Sequence, residues 1–214
     1  MNKAIACCLV AAAVLCLDAG TSTAGGAPRT HDGFFLRLAV GGGHAGSKIE
    51  VPDTPATPGG ADIDLSGTSG DVDLAIGGMV QPNLAIHATI FGWSVSDPDA
   101  DIRIGTLSGK GTLNGTATMS AIGPGVTYYV MPTNLYFTGS LGIGKFKLSD
   151  TTDVDGESKS GLALALGLGK EWWVGNQWGL GLSGGLTYHS IADKDVSENW
   201  SGTSFGVRFS ATMN

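Results

Sequence analysis

Residues 161–174 read GLALALGLGKEWWV, and from 162 to 168 every second position is leucine. Leu162, Leu164, Leu166 and Leu168 share one face of an extended chain, while Gly161, Ala163, Ala165, Gly167 and Gly169 share the other. A sustained period of two means strand, because successive side chains in a β-strand point to opposite faces. The following segment repeats the pattern, with Leu180, Leu182, Leu186 and Tyr188 against Gly179, Gly181, Ser183, Gly185 and Thr187. Six further segments obey the same rule less cleanly: residues 36–40, 72–80, 84–90, 122–130, 135–143 and 205–211. Eight strands are expected.

The links between them are lopsided. Gln81-Pro-Asn83, Pro132-Thr-Asn134 and Gly175-Asn-Gln177 are tight turns built from turn-forming residues. The other four links, roughly residues 44–70, 94–117, 147–160 and 189–200, are long, polar and acidic and read as loops. Short turns at one end and long loops at the other is the pattern of a transmembrane β-barrel, with the turns in the periplasm. Membrane helices are excluded, since residues 25–214 hold no run of eighteen apolar residues.

The two faces of the strands separate lipid from water as the outer solvent. One face carries Leu, Ile, Val and Phe; the other is Gly, Ala, Ser and Thr with scattered charges. A soluble core built from the Gly and Ala of the second face would bury too little area to fold. Turned inside out, the large residues meet lipid and the small ones line a narrow interior. Glycine supports this, with 35 of 214 residues, about twice the average share. Trp172, Trp173, Trp178 and Tyr136 near the short turns, and Tyr188 and Trp200 near the long loops, are expected in interfacial girdles. The fold class is therefore all-β: an eight-stranded antiparallel up-and-down transmembrane barrel. A soluble lipocalin-like binder is the alternative.

The N-terminus reads as an export signal. Lys3 precedes an apolar run from Ala4 to Leu17, too short to span a membrane, and Ser22 and Ala24 supply small residues for cleavage after residue 24. A buried helix would need a polar second face that this run lacks. A lipid anchor on Cys16 is disfavoured by Leu15, where processing requires a small residue. Cys7, Cys8 and Cys16 then leave with the signal, so the exported chain has neither thiol nor disulfide. The expected organisation is 1–24 signal peptide, 25–33 periplasmic segment and 34–214 barrel. A net charge of −7 argues against a nucleic-acid partner.

The segment Gly123-Pro-Gly-Val-Thr-Tyr-Tyr129 resembles a strand common among small bacterial outer-membrane barrels, the superfamily of OmpA-like, OmpX-like and OmpW-like proteins. The resemblance covers residues 34–214. It implies a Gram-negative outer-membrane location, with outer-membrane lipid, lipopolysaccharide and the barrel assembly machinery as partners; it implies no activity and no cofactor. The chain departs from the family at its end, Phe209-Ser-Ala-Thr-Met-Asn214, which lacks the usual terminal aromatic. Pro124 falls inside a strand, where it cannot donate to the ladder, and a bulge is expected there.

Inward charges are few: Arg37, Asp73, His87, Glu171 and Arg208. Their expected role is a structural salt-bridge cluster, with Glu171 paired to Arg37 or Arg208, His87 nearby and Asp73 higher in the interior; a gated ion path is the sharper alternative. Phe91 and Trp93 should fill the lumen, opposite the glycine-rich strands of residues 161–188. His189 and Ser190 are adjacent at the rim, the residue types of an outer-membrane lipid deacylase, but neighbouring strand residues face apart. His31 and His44 read as ordinary surface residues. Asp97, Asp99 and Asp101, and Asp153, Asp155 and Glu157, offer oxygen ligands for weak Ca²⁺ binding; solvated surface charge is the simpler reading. The function expected is a structural or surface-interaction barrel with a plugged interior. A narrow conduit for a small or hydrophobic molecule is the alternative, and a lipid-modifying enzyme the remote one.

Overall fold

The computed structural model describes residues 31–55, 58–150, 155–194 and 197–213; the expected signal peptide and Asp153 lie outside them. Eleven strands follow in order: β1 (Phe34–Val51), β2 (Ala61–Gln81), β3 (Leu84–Ser96), β4 (Asp99–Ile104), β5 (Leu107–Thr112), β6 (Gly115–Val130), β7 (Leu135–Asp150), β8 (Asp155–Glu157), β9 (Gly161–Trp173), β10 (Trp178–Ala192) and β11 (Asn199–Met213). Eight of them, β1, β2, β3, β6, β7, β9, β10 and β11, form a ring of antiparallel neighbours, closed because β1 pairs with both β2 and β11. The chain is an all-β, eight-stranded barrel.

Three short turns join β2 to β3, β6 to β7 and β9 to β10 at one end, where β1 begins and β11 finishes. Asn83 and Asn134 sit in these turns at φ of 67° and 55°, a left-handed conformation that asparagine tolerates better than most residues. The barrel is narrow enough that some strands touch backbone to backbone. A Cβ at Gly41 would stand 2.0 Å from the Val207 carbonyl oxygen, so only glycine fits there.

Around the lower two thirds of the ring the outward positions are Leu, Ile, Val and Phe, and most are about half exposed, such as Ile76, Leu168 and Val207. The inward positions are buried: Phe35, Arg37 and Ala39 on β1, Ala163 and Ala165 on β9, Ser204, Arg208 and Ser210 on β11. A water-exposed apolar belt of this size would not be stable in solution, and lipid is its natural solvent.

The four long links are mostly not loops. β1 runs to Val51 and β2 starts at Ala61, paired in unbroken register from Phe34↔Gly78 to Val51↔Ala61. The segment between β3 and β6 is itself a hairpin, β4–β5, laid against the upper part of β2. The face pattern inverts on the way up. Within β1 the outward side changes from Leu38 and Val40 to Lys48 and Glu50, and the inward side changes from Arg37 to Ile49. The outer solvent has become water, so the same strand must now keep its apolar side within. Polar runs that suggest loops are this inversion.

Three smaller expectations are corrected. No bulge forms at Pro124: Ala88 stays opposite it on β3, and the β7 register holds from Ile122↔Ile143 to Gly125↔Ser140. The ladder slips instead between Met79 and Gln81, beside the first turn. Tyr136, Trp173 and Trp200 are not girdle residues; they share parity with inward neighbours, Tyr136 and Trp200 are buried and Trp173 packs on His31, whereas Trp178 and Tyr188 face out.

Candidate functional site

Among the described residues, chemistry-bearing side chains converge in the barrel interior, which is filled in three storeys. At the end that carries the short turns lies His31, which precedes β1 and is fully buried rather than on the surface. Its ring stacks on Tyr129 at 3.6 Å, leans on Trp173 at 4.7 Å, and its Nε2 lies 2.6 Å from Asn134 Oδ1. The Asn83 amide donates to the His31 carbonyl, fastening the segment to the first turn. Just above, Glu171 Oε1 accepts from Thr212 Oγ1 at 2.6 Å and from Tyr129 OH at 3.3 Å. Its expected arginine partner is absent, because both arginines are taken by acids on β2.

Arg37 carries the middle storey. Its guanidinium donates to Asp73 Oδ1 at 3.4 Å, Thr127 Oγ1 at 3.2 Å and Thr138 Oγ1 at 3.1 Å. Thr127 and Thr138 are 2.9 Å apart, and His87 bridges Thr127 and Thr89 at 2.9 and 2.7 Å. Ser140 closes the chain by donating to Thr89. The ladder sets Asp73 one step above Arg37, opposite Ala39, so the pair meets diagonally between adjacent strands.

The second pair, Arg208 on β11 with Asp71 on β2, is 3.7 Å apart and meets across β1, which lies between those strands. Gly167, Gly185, Gly206 and Gly43 share one register level on β9, β10, β11 and β1, and the pair lies over Gly185 and Gly206. A Cβ at Gly185 would meet the Arg208 guanidinium at 2.8 Å, and one at Gly206 would meet Asp71 Oδ2 at 2.7 Å. The same logic recurs elsewhere, with the Tyr136 ring over Gly169 and the His87 ring over Gly125. Large residues thus fill hollows on adjoining strands, as Arg208, Tyr136 and His87 do, and others reach across the ring, as Trp93 on β3 does to His189 on β10 and Arg37 on β1 to Thr138 on β7.

The upper storey is apolar. Phe91, Trp93, Met119 and Phe146 pack beneath Ile49, Leu65, Val95, Ile191 and Trp200. His189 sits among them, 6.0 Å from Phe146 and 5.7 Å from Trp93, with Nε2 hydrogen-bonded to Ser47 Oγ at 2.9 Å. Ser190 faces the other way, next to Asn199 and Ser201. His189 and Ser47 are both sealed from solvent, so this pair lacks the access a hydrolytic site needs.

Outside the barrel the acidic residues are dispersed. Asp97 caps the Gly115 amide in a turn, Asp99 is exposed on β4, and Asp101 pairs with Lys110 at 2.6 Å. That hydrogen bond holds the Lys110 ammonium above its ordinary pKa. Glu157 takes Lys145 at 2.7 Å and Lys194 at 3.2 Å, and these two hydrogen bonds keep its carboxyl below the usual value. Asp155 lies on β8, across the ladder from Ser149. Among the described residues no three acids, histidines or cysteines converge as a metal site. His44, expected in a loop, stands on the outer wall of β1 beside Phe205.

Sequence reasoning passed over Asp71, which has the parity of Asp73 and could have been found by the same rule. His31 carries no such signal, because it lies outside any alternating run.

The sequence matches no protein-family model and no curated relative. Solved structures with a similar fold include Neisserial surface protein A, with a TM-score of 0.51 and 12% identity over 84% of this chain and 96% of that one. The outer membrane protein AlkL gives 0.48 and 15%, covering 91% and 95%. The outer membrane protein OprG from Pseudomonas aeruginosa gives 0.44 and 16%, covering 88% and 100%. The fold is that of the small bacterial outer-membrane barrels.

Proposed function

We propose that this protein is a closed outer-membrane barrel with a structural or surface-interaction role, which holds an extracellular β-sheet above the lipid. One observation carries the reading: side chains fill the lumen at every level, from His31 and Trp173 through the Arg37 network to Phe146 and Trp200. The strands meanwhile continue past the apolar belt as a water-facing sheet of β1, β2, β4 and β5. Its outer face sets Lys48, Asp64, Asp101 and Lys110 side by side in one row. Planar-bilayer recording on the purified protein tests this. No stable channel events are expected, and steady conductance in the wild type would overturn the closed reading.

A second reading, a narrow conduit, has a specific observation in its favour. Buried polar atoms without a hydrogen bond recur on β9, β10, β11 and β2: Glu171 Oε2, Ser210 Oγ, Arg208 Nε, Asp71 Oδ2, Ser204 Oγ and His189 Nδ1. Such atoms usually hold water. Water threading these sites would pass at most small species, and the same recordings discriminate. No enzymatic role is proposed.

A further inference from the structure

β5 ends the sheet, because it pairs with β4 on one side and with no other described strand. All six of its residues, Leu-Ser-Gly-Lys-Gly-Thr, are exposed. A free edge presents a row of unpaired amide and carbonyl groups, and natural proteins usually guard such an edge with charge, proline or a bulge. β5 has neither proline nor bulge, and its single charge, Lys110, is drawn back across the ladder to Asp101 at 2.6 Å. Gly109 and Gly111 have open space where a Cβ would stand, so nothing obstructs an approaching chain.

The two faces of this hairpin differ. Arg103 with Ser108, Asp101 with Lys110 and Asp99 with Thr112 form a polar face. The other face carries Ile104 with Leu107 and Ile102 with Gly109; Ile102, Ile104 and Leu107 are 39%, 58% and 76% exposed. Three large apolar residues in open water beside an unguarded edge are a liability unless something covers both together.

We propose that the β5 edge docks an extended segment of another protein, which adds as a further strand to the extracellular sheet. This deepens the surface-interaction reading and rests on it. Main-chain hydrogen bonds supply the affinity. Alternate side chains supply the preference: apolar residues over Leu107 and the notches at Gly109 and Gly111, a hydroxyl or carboxylate beside Lys110.

A second copy in the same membrane does not fit. Two copies of β5 pairing antiparallel are related by a twofold axis normal to the sheet. The barrel wall stands upright in the membrane, so that axis would turn one copy upside down.

The test uses the full-length protein in detergent and a fluorescent peptide, Thr-Val-Asp-Val-Thr-Val-Thr, with fluorescence anisotropy as readout. Binding is expected, and a twin N-methylated at alternate amides should bind at least tenfold more weakly. Neighbouring amides on a strand point to opposite edges, so one of Gly109→Pro and Lys110→Pro blocks the free edge and abolishes binding. Leu107→Asp leaves the backbone intact and should also weaken binding at least tenfold. Each variant is checked for folding by its migration on unheated gels. Equal binding of the twin, wild-type binding by both proline variants, or indifference to Leu107→Asp overturns the proposal. A dimer abolished by the same proline would overturn it in favour of self-pairing. Failure here with a closed channel and surface-exposed β4–β5 sinks only the edge; conductance, or a hairpin inaccessible on cells, sinks the platform reading itself.

Discussion

The buried charges make a quantitative prediction, because the lumen holds two arginines and three acids. Arg37 and Asp73 are side-chain exposed by only 2% and 7% and meet at 3.4 Å. Removing one partner of such a pair usually costs ~3–5 kcal/mol, since the other charge is left buried. Asp73→Asn keeps the volume and leaves Arg37 its bonds to Thr127 and Thr138. Glu171 also lies within electrostatic reach of Arg37. As the third acid it offsets part of the loss, so the single substitution should fall at the low end, about 3 kcal/mol. Glu171→Gln alone should cost about 1 kcal/mol or less, because Thr212 and Tyr129 can donate to the amide oxygen instead. Together the two strip Arg37 of both counter-charges, and the double variant should exceed the sum by about 1–3 kcal/mol. Urea unfolding in detergent micelles resolves this: with a slope near 1–3 kcal/mol per molar, 3 kcal/mol moves the midpoint by about 1–3 M. A double variant that equals the sum within about 0.5 kcal/mol would show that Glu171 does not share the Arg37 charge. Replacing both members of the pair, Arg37→Met with Asp73→Leu, should be far milder than Asp73→Asn.

Three further outcomes follow from the same geometry. Gly169→Ala would place a Cβ 2.5 Å from the Tyr136 ring and 2.7 Å from the Leu182 carbonyl, and should cost about 1–3 kcal/mol, whereas Gly184→Ala points into open space on the lipid side and should be neutral in the same titration. Single cysteines at Gly60, Gly109 or Asn199 should label on whole cells with an impermeant maleimide, and cysteines at Asn83 or Asn176 should not; the reverse would invert the topology. Glu157 has a depressed carboxyl pKa, so the stability its two lysines lend to β8 is present above the ordinary carboxylate value and is lost as pH falls through the lowered one. Its carboxyl carbon should titrate by NMR below free glutamate, and Lys145→Ala with Lys194→Ala should restore the ordinary value.

The barrel was legible because lipid enforces one rule along each strand. Leu162 to Leu168 and Leu180 to Leu186 could be assigned to one face without any knowledge of their neighbours. The same rule misled where the solvent changes. At Lys48 and Glu50 the outward side turns polar and at Ile49 the inward side turns apolar, so a pattern tuned to lipid registers noise and reports a loop. Alternation continues there with its sign reversed. Tracking parity rather than polarity would have carried β1 through to Val51.

The lumen was legible in content and not in pairing. Parity alone assigns Arg37, Asp73, His87, Glu171 and Arg208 to the inside. Which acid meets which base depends on the stagger between strands, and that is set by where the ring closes. Arg37 meets Asp73 because the β1–β2 register puts Asp73 one step above it; Glu171, across the ring on β9, is left to hydroxyls on β11 and β6. Composition holds a trace of this arrangement in its glycines. Gly185 and Gly206 are small because Arg208 and Asp71 lie over them, and Gly169 because Tyr136 does. These inward glycines are therefore statements about a neighbour: they mark where a nearby strand's large side chain turns sideways, whereas Gly41 marks a close backbone approach. That is how a ring this narrow holds Arg208, and why substitutions at those glycines should hurt more than substitutions at glycines facing lipid.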